Sequence, residues 1–143
     1  YNSALEQFSR ENYPEALKKF EILKNTAAKY KFYDYREQTN LYIAKSRNAI
    51  ADDLYKQGED LELREEFEQA YAKYKESLTY VKNHKDSLKG LQKLNSIIAQ
   101  QYYDQGLKAF SAGNRENAIK LLEESLKYDG NKIEAKRALE RIK

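Results

Sequence analysis

The side chains best suited to chemistry in this chain are one histidine, His84, two adjacent carboxylate pairs, Glu65 with Glu66 and Glu123 with Glu124, and a run of lysines. A catalytic or metal-binding histidine needs positioned partners: a nucleophile and an orienting group for proton relay, or further ligands at tetrahedral spacing. His84 stands in the polar stretch Asn83-His84-Lys85-Asp86, and the chain has no cysteine, so this histidine reads as a solvated side chain. Neighbouring acids on a helix point to different faces, and both pairs lie among lysines; they read as solvated surface rather than as a general acid and base. The five glycines stand singly, which leaves no phosphate-cradling loop. Enzyme chemistry, metal and cofactor are not expected.

The lysines Lys73, Lys75, Lys82, Lys85, Lys89 and Lys93 form the one local excess of charge, offset in part by Glu76 and Asp86. The plain reading is that exposed helix faces meet at a turn. The sharper reading is an anionic contact, with an acidic partner segment or with anionic lipid headgroups. Nucleic acid is not expected as a partner. The 26 basic and 23 acidic residues interleave to a net charge of +3, with seven arginines against nineteen lysines and no alternation of basic and aromatic side chains.

The elements that carry these residues are helices. In Tyr103-x-x-Gly106-Leu107-x-x-Phe110-Ser111 the apolar residues recur at helical period, the pattern breaks at Ala112-Gly113-Asn114, and it resumes through Ala118, Ile119, Leu122, Ser125 and Leu126. A glycine inside a helix costs about 1 kcal/mol against alanine, so Gly106 opposite Ala118 implies two backbones in close approach. Tyr1-x-x-Ala4-Leu5-x-x-Phe8-Ser9 matches the first half position by position. Asn12-Tyr13-Pro14-Glu15-Ala16 then opens a return helix, with Pro14 in the first turn, where its missing N–H costs little. From Lys31 to Arg64 the spacing of Leu41, Ala44, Asn48, Ala51, Leu54, Gly58 and Leu61 predicts one long helix, unbroken from Tyr33 to Arg64. A return helix over 67–82 follows, then a turn in which Asp86 serves as N-cap. A second long helix runs from Ser87 to Ala112 with Leu88, Leu91, Leu94, Ile97, Ile98, Tyr102 and Phe110 on its apolar side. Gly130, in a left-handed conformation, ends the next helix, and residues 132–143 make the last.

Tyr102, Gly106, Ala109, Gly113, Ala118, Leu122 and Ser125 fall in order on the slots of the tetratricopeptide repeat, which this chain resembles. Tyr55, Gly58, Leu61, Phe67, Ala70, Tyr74 and Ser77 do so in an earlier repeat, with Glu65 in the corner usually held by glycine. The resemblance implies an all-α solenoid of helical hairpins over residues 1–143. Its repeats lie near 1–30, 51–82 and 99–130, with a capping helix over 131–143, about seven helices in all and two unusually long. The marker alanines Ala16, Ala70 and Ala118 are 54 and 48 residues apart instead of the family's ~34. The excess falls on the long helices, whose first halves extend each later repeat backwards.

The resemblance also implies a function. In such proteins the first helix of each hairpin lines a groove for a peptide or protein partner. The corresponding positions here are Tyr1, Leu5 and Phe8, then Tyr55, Glu59 and Glu62, then Tyr103, Leu107 and Phe110. Tyrosine holds the leading slot in all three, which suits contact with a partner and equally suits packing between repeats. The Lys and Asn that grip a chaperone's terminal carboxylate in some relatives are absent from these positions. The expected activity is non-enzymatic protein binding. A second reading is a structural spacer within a larger assembly such as a bacterial envelope or motor complex, and a third, ranked below it, is association with an anionic membrane through the lysines. There is no methionine, even at position 1, so the sequence is expected to be a processed or excised piece, and the absence of cysteine is compatible with an extracytoplasmic bacterial domain.

Overall fold

The computed structural model describes residues 1–30 and 36–143, and every regular element among them is an α-helix. In chain order these are α1 (Asn2–Ser9), α2 (Tyr13–Tyr30), α3 (Arg36–Leu63), α4 (Phe67–Tyr80), α5 (Lys85–Ser111), α6 (Arg115–Tyr128) and α7 (Ile133–Ile142). The all-α class holds, and two helices are long, α3 with 28 residues and α5 with 27. The expected start of α3 at Tyr33 lies outside the described residues.

Among the described residues, the principal helix contacts join elements adjacent in sequence: α1 to α2, α2 to α3, and so on to α6 with α7. Burial follows the same order. Ala4, Ala16 and Phe20 form one cluster, Leu17, Ile50 and Leu54 a second, Ala70, Tyr74, Leu94 and Ile98 a third, and Ala118, Leu122, Ala135, Leu139 and Ile142 a fourth. The marker alanines and Ala4 are buried, and a Cβ built on Gly106 would lie 2.9 Å from Leu122 Cγ and 3.4 Å from the Ala118 carbonyl. That is the close approach of backbones for which these small residues are needed.

The repeating unit is longer than a single hairpin of the familiar kind. Helix α4 begins at Phe67 and α6 at Arg115, 48 residues on; they end at Tyr80 and Tyr128, again 48 apart, and α3 and α5 end at Leu63 and Ser111 with the same offset. Buried hydroxyls repeat with it. Ser77 donates to the Ala51 carbonyl at 2.9 Å and Ser125 to the Ala99 carbonyl at 2.6 Å, tying each return helix to its long partner.

The three corners that lead into α2, α4 and α6 close in one way. After α1 the amide of Asn12 bonds the Gln7 carbonyl and that of Glu11 the Phe8 carbonyl; Glu66 to Leu61 with Glu65 to Glu62, and Asn114 to Ala109 with Gly113 to Phe110, repeat the pattern. This double bond from beyond the helix end puts the intervening residue in the left-handed region: φ is +60° at Glu11 and Glu65 and +85° at Gly113. Only glycine accepts that conformation without a Cβ penalty. Glu65→Gly and Glu11→Gly should therefore each stabilise the fold by about 0.5–1 kcal/mol, read as a raised urea midpoint, whereas Gly113→Glu should lower it.

Four expectations need correction. In the first half of α3, Leu41 is 52% exposed, and Ala44 and Asn48 are also exposed; the buried face is Thr39, Ser46 and Ile50, with Tyr42 and Ile43 packed beside the core. The buried face of this half of α3 is therefore not its most hydrophobic one. Leu88 on α5 is likewise exposed, while its neighbour Ser87 is buried and gives its hydroxyl proton to Ser77 at 2.9 Å. The N-cap of α5 is His84 rather than Asp86. Gly130 is not left-handed: α6 ends because Asp129 turns extended (φ −136°), as Val81 does after α4 (φ −134°).

Aromatic rings join one unit to the next. Tyr128 of α6 stacks on Tyr102 at 5.8 Å and meets Tyr71 of α4 edge-on at 5.3 Å, and Tyr102 donates its phenol proton to the Glu68 carboxylate. That hydrogen bond, reinforced by burial, pushes the Tyr102 pKa from 10.0 up to about 12. A phenol that holds its proton more tightly when folded stabilises the protein fully below the unfolded pKa of 10.0, and the contribution is lost as pH rises toward 12. Wild-type stability should fall across that window more steeply than that of Tyr102→Phe, measured by urea unfolding at stepped alkaline pH.

Candidate functional site

Two clefts with one plan lie between α3 and α5 and between α5 and α7. The first has α3 on one side, contributing Tyr55, Glu59 and Glu62 at helical spacing, and α5 on the other, contributing Asp86, Lys89, Gly90 and Lys93; Tyr74 lines it from α4, and its volume is about 220 Å³. The second has Tyr103, Leu107 and Phe110 of α5 facing Glu134, Arg137, Ala138, Arg141 and Ile142 of α7, with a volume of about 350 Å³. Shifting by 48 residues turns Tyr55, Glu59 and Glu62 into Tyr103, Leu107 and Phe110, and Asp86, Lys89, Gly90 and Lys93 into Glu134, Arg137, Ala138 and Arg141. Leu122 takes the place of Tyr74.

The first hairpin fills the corresponding space itself. Tyr1, Leu5 and Phe8 pack with Tyr42 and Ile43 of α3, and Tyr42 stands in the slot of Gly90 and Ala138. Its ring meets Phe8 edge-on at 5.2 Å and stacks on Phe20 at 5.2 Å, while the Tyr1 hydroxyl donates to Gln38 at 3.0 Å.

Electrostatics separate the two clefts. In the α3/α5 cleft, Lys93 Nζ lies 3.1 Å from Glu62 Oε2, and Glu59 of α3 and Asp86 of α5 line the same space as Lys89, so the cleft carries acids of its own beside its two lysines. Burial, then the Glu59 charge, raises the Tyr55 phenol pKa; burial, then Glu62, raises that of Tyr74. In the α5/α7 cleft, apolar Leu107 and Phe110 hold the acidic slots and are 37% and 49% exposed. Among the described residues, Arg137 and Arg141 form no ion pair, and Lys132 Nζ stands 5.3 Å over the Tyr103 ring. No family model, no curated protein and no solved structure matches this chain.

The six lysines do not act as one free patch. Lys89 and Lys93 line the α3/α5 cleft, Lys73 lies 3.9 Å from Glu76, Lys75 stands over the Tyr71 ring at 5.3 Å, and Lys82 and Lys85 are exposed. The leading tyrosines pack as well as line: Tyr55 stacks on Tyr74 at 5.5 Å and tilts against His84 at 5.8 Å.

His84 is not the solvated residue expected from its polar surroundings; its side chain is 10% exposed. Nδ1 accepts the Ser87 amide at 3.2 Å, which leaves the ring proton on Nε2, directed at Asp52 Oδ1 at 2.7 Å. The residue thus caps α5 and ties it to α3, a structural use of both nitrogens. Glu123 and Glu124 answer Lys143 (3.5 Å) and Lys127 (2.6 Å), and Glu65 with Glu66 occupies the α3–α4 corner rather than a helix face.

Reading the sequence alone missed the α7 wall of the larger cleft, namely Glu134, Arg137, Ala138 and Arg141. A signal was present: Lys89 with Lys93 and Arg137 with Arg141 are two basic pairs at i, i+4, set 48 residues apart.

Proposed function

We propose that this chain is a non-enzymatic scaffold, a stack of tetratricopeptide-like helical hairpins that binds a peptide or protein segment in clefts lined by the first helix of each hairpin. The observation that carries this reading is one cleft plan met three times along the chain: filled by Tyr42 at the first hairpin, bridged by the Glu62–Lys93 pair between α3 and α5, and, 48 residues on, open with an apolar floor between α5 and α7. Leu107 and Phe110 leave part of their apolar surface open within one cleft, where a partner can cover it.

The test is affinity capture of a partner from the source cells with wild type and with Phe110→Glu. Glutamate is tolerated at the equivalent Glu62, so the variant should keep its helical circular dichroism and melting temperature yet lose the partner. Equal recovery by both proteins would rule the cleft out.

A second reading, a structural spacer, is favoured by the length of α3 and α5 and by the Glu62–Lys93 pair and Tyr42 ring that occupy the earlier clefts. On that reading Phe110→Glu leaves every partner bound, while shortening α3 impairs assembly.

A further inference from the structure

We propose that the α5/α7 cleft takes an acidic linear peptide bearing an aromatic side chain, the ring seated on Leu107 and Phe110 and the flanking carboxylates on Arg137 and Arg141. The inference rests on the binding-scaffold reading and adds the chemistry of the partner.

Charge comes first. The α3/α5 cleft has the same basic slots, Lys89 and Lys93, but lines the facing helix with Glu59 and Glu62, and Lys93 is held at 3.1 Å from Glu62. Between α5 and α7 those two acidic slots hold Leu107 and Phe110, so the two guanidiniums keep the wall and lose the internal partners. Lys132, over the Tyr103 ring, adds a third cation at the edge, and Glu134 is the one acid in the lining. A wall on which cations outnumber the single carboxylate selects a partner that brings more, and arginine binds a carboxylate through two parallel hydrogen bonds.

The molecule also shows what such a floor accepts. In the first hairpin Leu5 and Phe8 occupy the slots of Leu107 and Phe110, and the Tyr42 ring packs against them, edge-on to Phe8 at 5.2 Å. Its counterpart at the open cleft is Ala138, which has no ring, and a volume of about 350 Å³ remains over the exposed Phe110. A tyrosine or phenylalanine from outside supplies what Tyr42 supplies from within. Its edge-on contact with Phe110 has the geometry that aromatic pairs prefer.

The experiment is selection of random linear peptides displayed on phage against the intact chain, followed by fluorescence anisotropy with the enriched peptide made synthetically. Enrichment should give a Phe or Tyr flanked by Asp or Glu, with binding that weakens as salt is added. Phe110→Glu and Arg137→Gln should each weaken the peptide by about thirtyfold, the effect of losing an interface hot spot, while Leu88→Glu, exposed elsewhere on α5, should leave it unchanged. Basic or ring-free consensus peptides, no enrichment at all, or binding indifferent to both cleft variants would each overturn the proposal. If the cellular partner is lost on Phe110→Glu while the selected peptides are basic, the partner chemistry falls and the scaffold stands. If Phe110→Glu keeps every cellular partner, both fall together.

Discussion

Alanine at Gly90 is expected to destabilise the protein by about 2–3 kcal/mol through overpacking, even though alanine exceeds glycine in helix propensity by ~1 kcal/mol. The cause is the Tyr74 ring, which is 1% exposed and wedged between two glycines. A Cβ on Gly90 would lie 2.6 Å from Cε2 of that ring, and one on Gly58 would lie 2.4 Å from Cε1 on the opposite edge. The ring cannot retreat from one helix without striking the other. The later unit resolves the same junction with different residues: Ala138 in place of Gly90 and Leu122 in place of Tyr74, while glycine is retained at Gly106. Tyr74→Leu combined with Gly90→Ala therefore rebuilds a packing this chain already uses. The double variant should be more stable than the sum of the single effects by at least about 1 kcal/mol, measured as a double-mutant cycle in urea. Additive costs would show that the two glycines are not there for the ring.

The largest loss should follow Phe20→Ala, at about 3–5 kcal/mol for truncating a buried aromatic side chain. Phe20 is fully buried, stacks on Tyr42 of α3 at 5.2 Å and meets Tyr1 edge-on at 6.3 Å, so one ring joins three helices. The loss should also be local. Helix α1 has eight residues and packs chiefly on α2, and the principal contacts of each later helix are with its own neighbours in sequence. Where stability is a sum over nearest neighbours, damage at one end spreads poorly. Hydrogen exchange should show the amides of α1 and the first turns of α2 opening while α5 to α7 keep their wild-type protection. Uniform loss along the chain would mean that the helices fold as one cooperative unit instead.

Much of this architecture was legible because it is local. Helical period located the return helices α4 and α6, and Gly106 with Ala118 marked where two backbones approach, whereas Gly58 makes room for the Tyr74 ring. Where local pattern failed, tertiary packing had other needs. Thr39 and Ser46 are buried in place of Leu41 and Ala44, so the inward face of α3 is not its most hydrophobic one. His84 becomes a cap because Asp52, 32 residues earlier, reaches it from α3. The left-handed corners at Glu11 and Glu65 could not be read from glutamate, which carries no signal for positive φ.

The sequence by itself determined an all-helical chain, the places where its helices turn back, and a leading tyrosine in each unit, because period and backbone sterics act over a few residues. Only the tertiary structure decided that Glu59 and Glu62 face Lys89 and Lys93, and that Leu107 and Phe110 face Arg137 and Arg141. Those pairs are separated by about thirty residues and meet only through the register at which one long helix is laid against the next. That register is set by buried contacts such as Ser77 with Ala51 and Tyr74 between its two glycines, which no single helix contains.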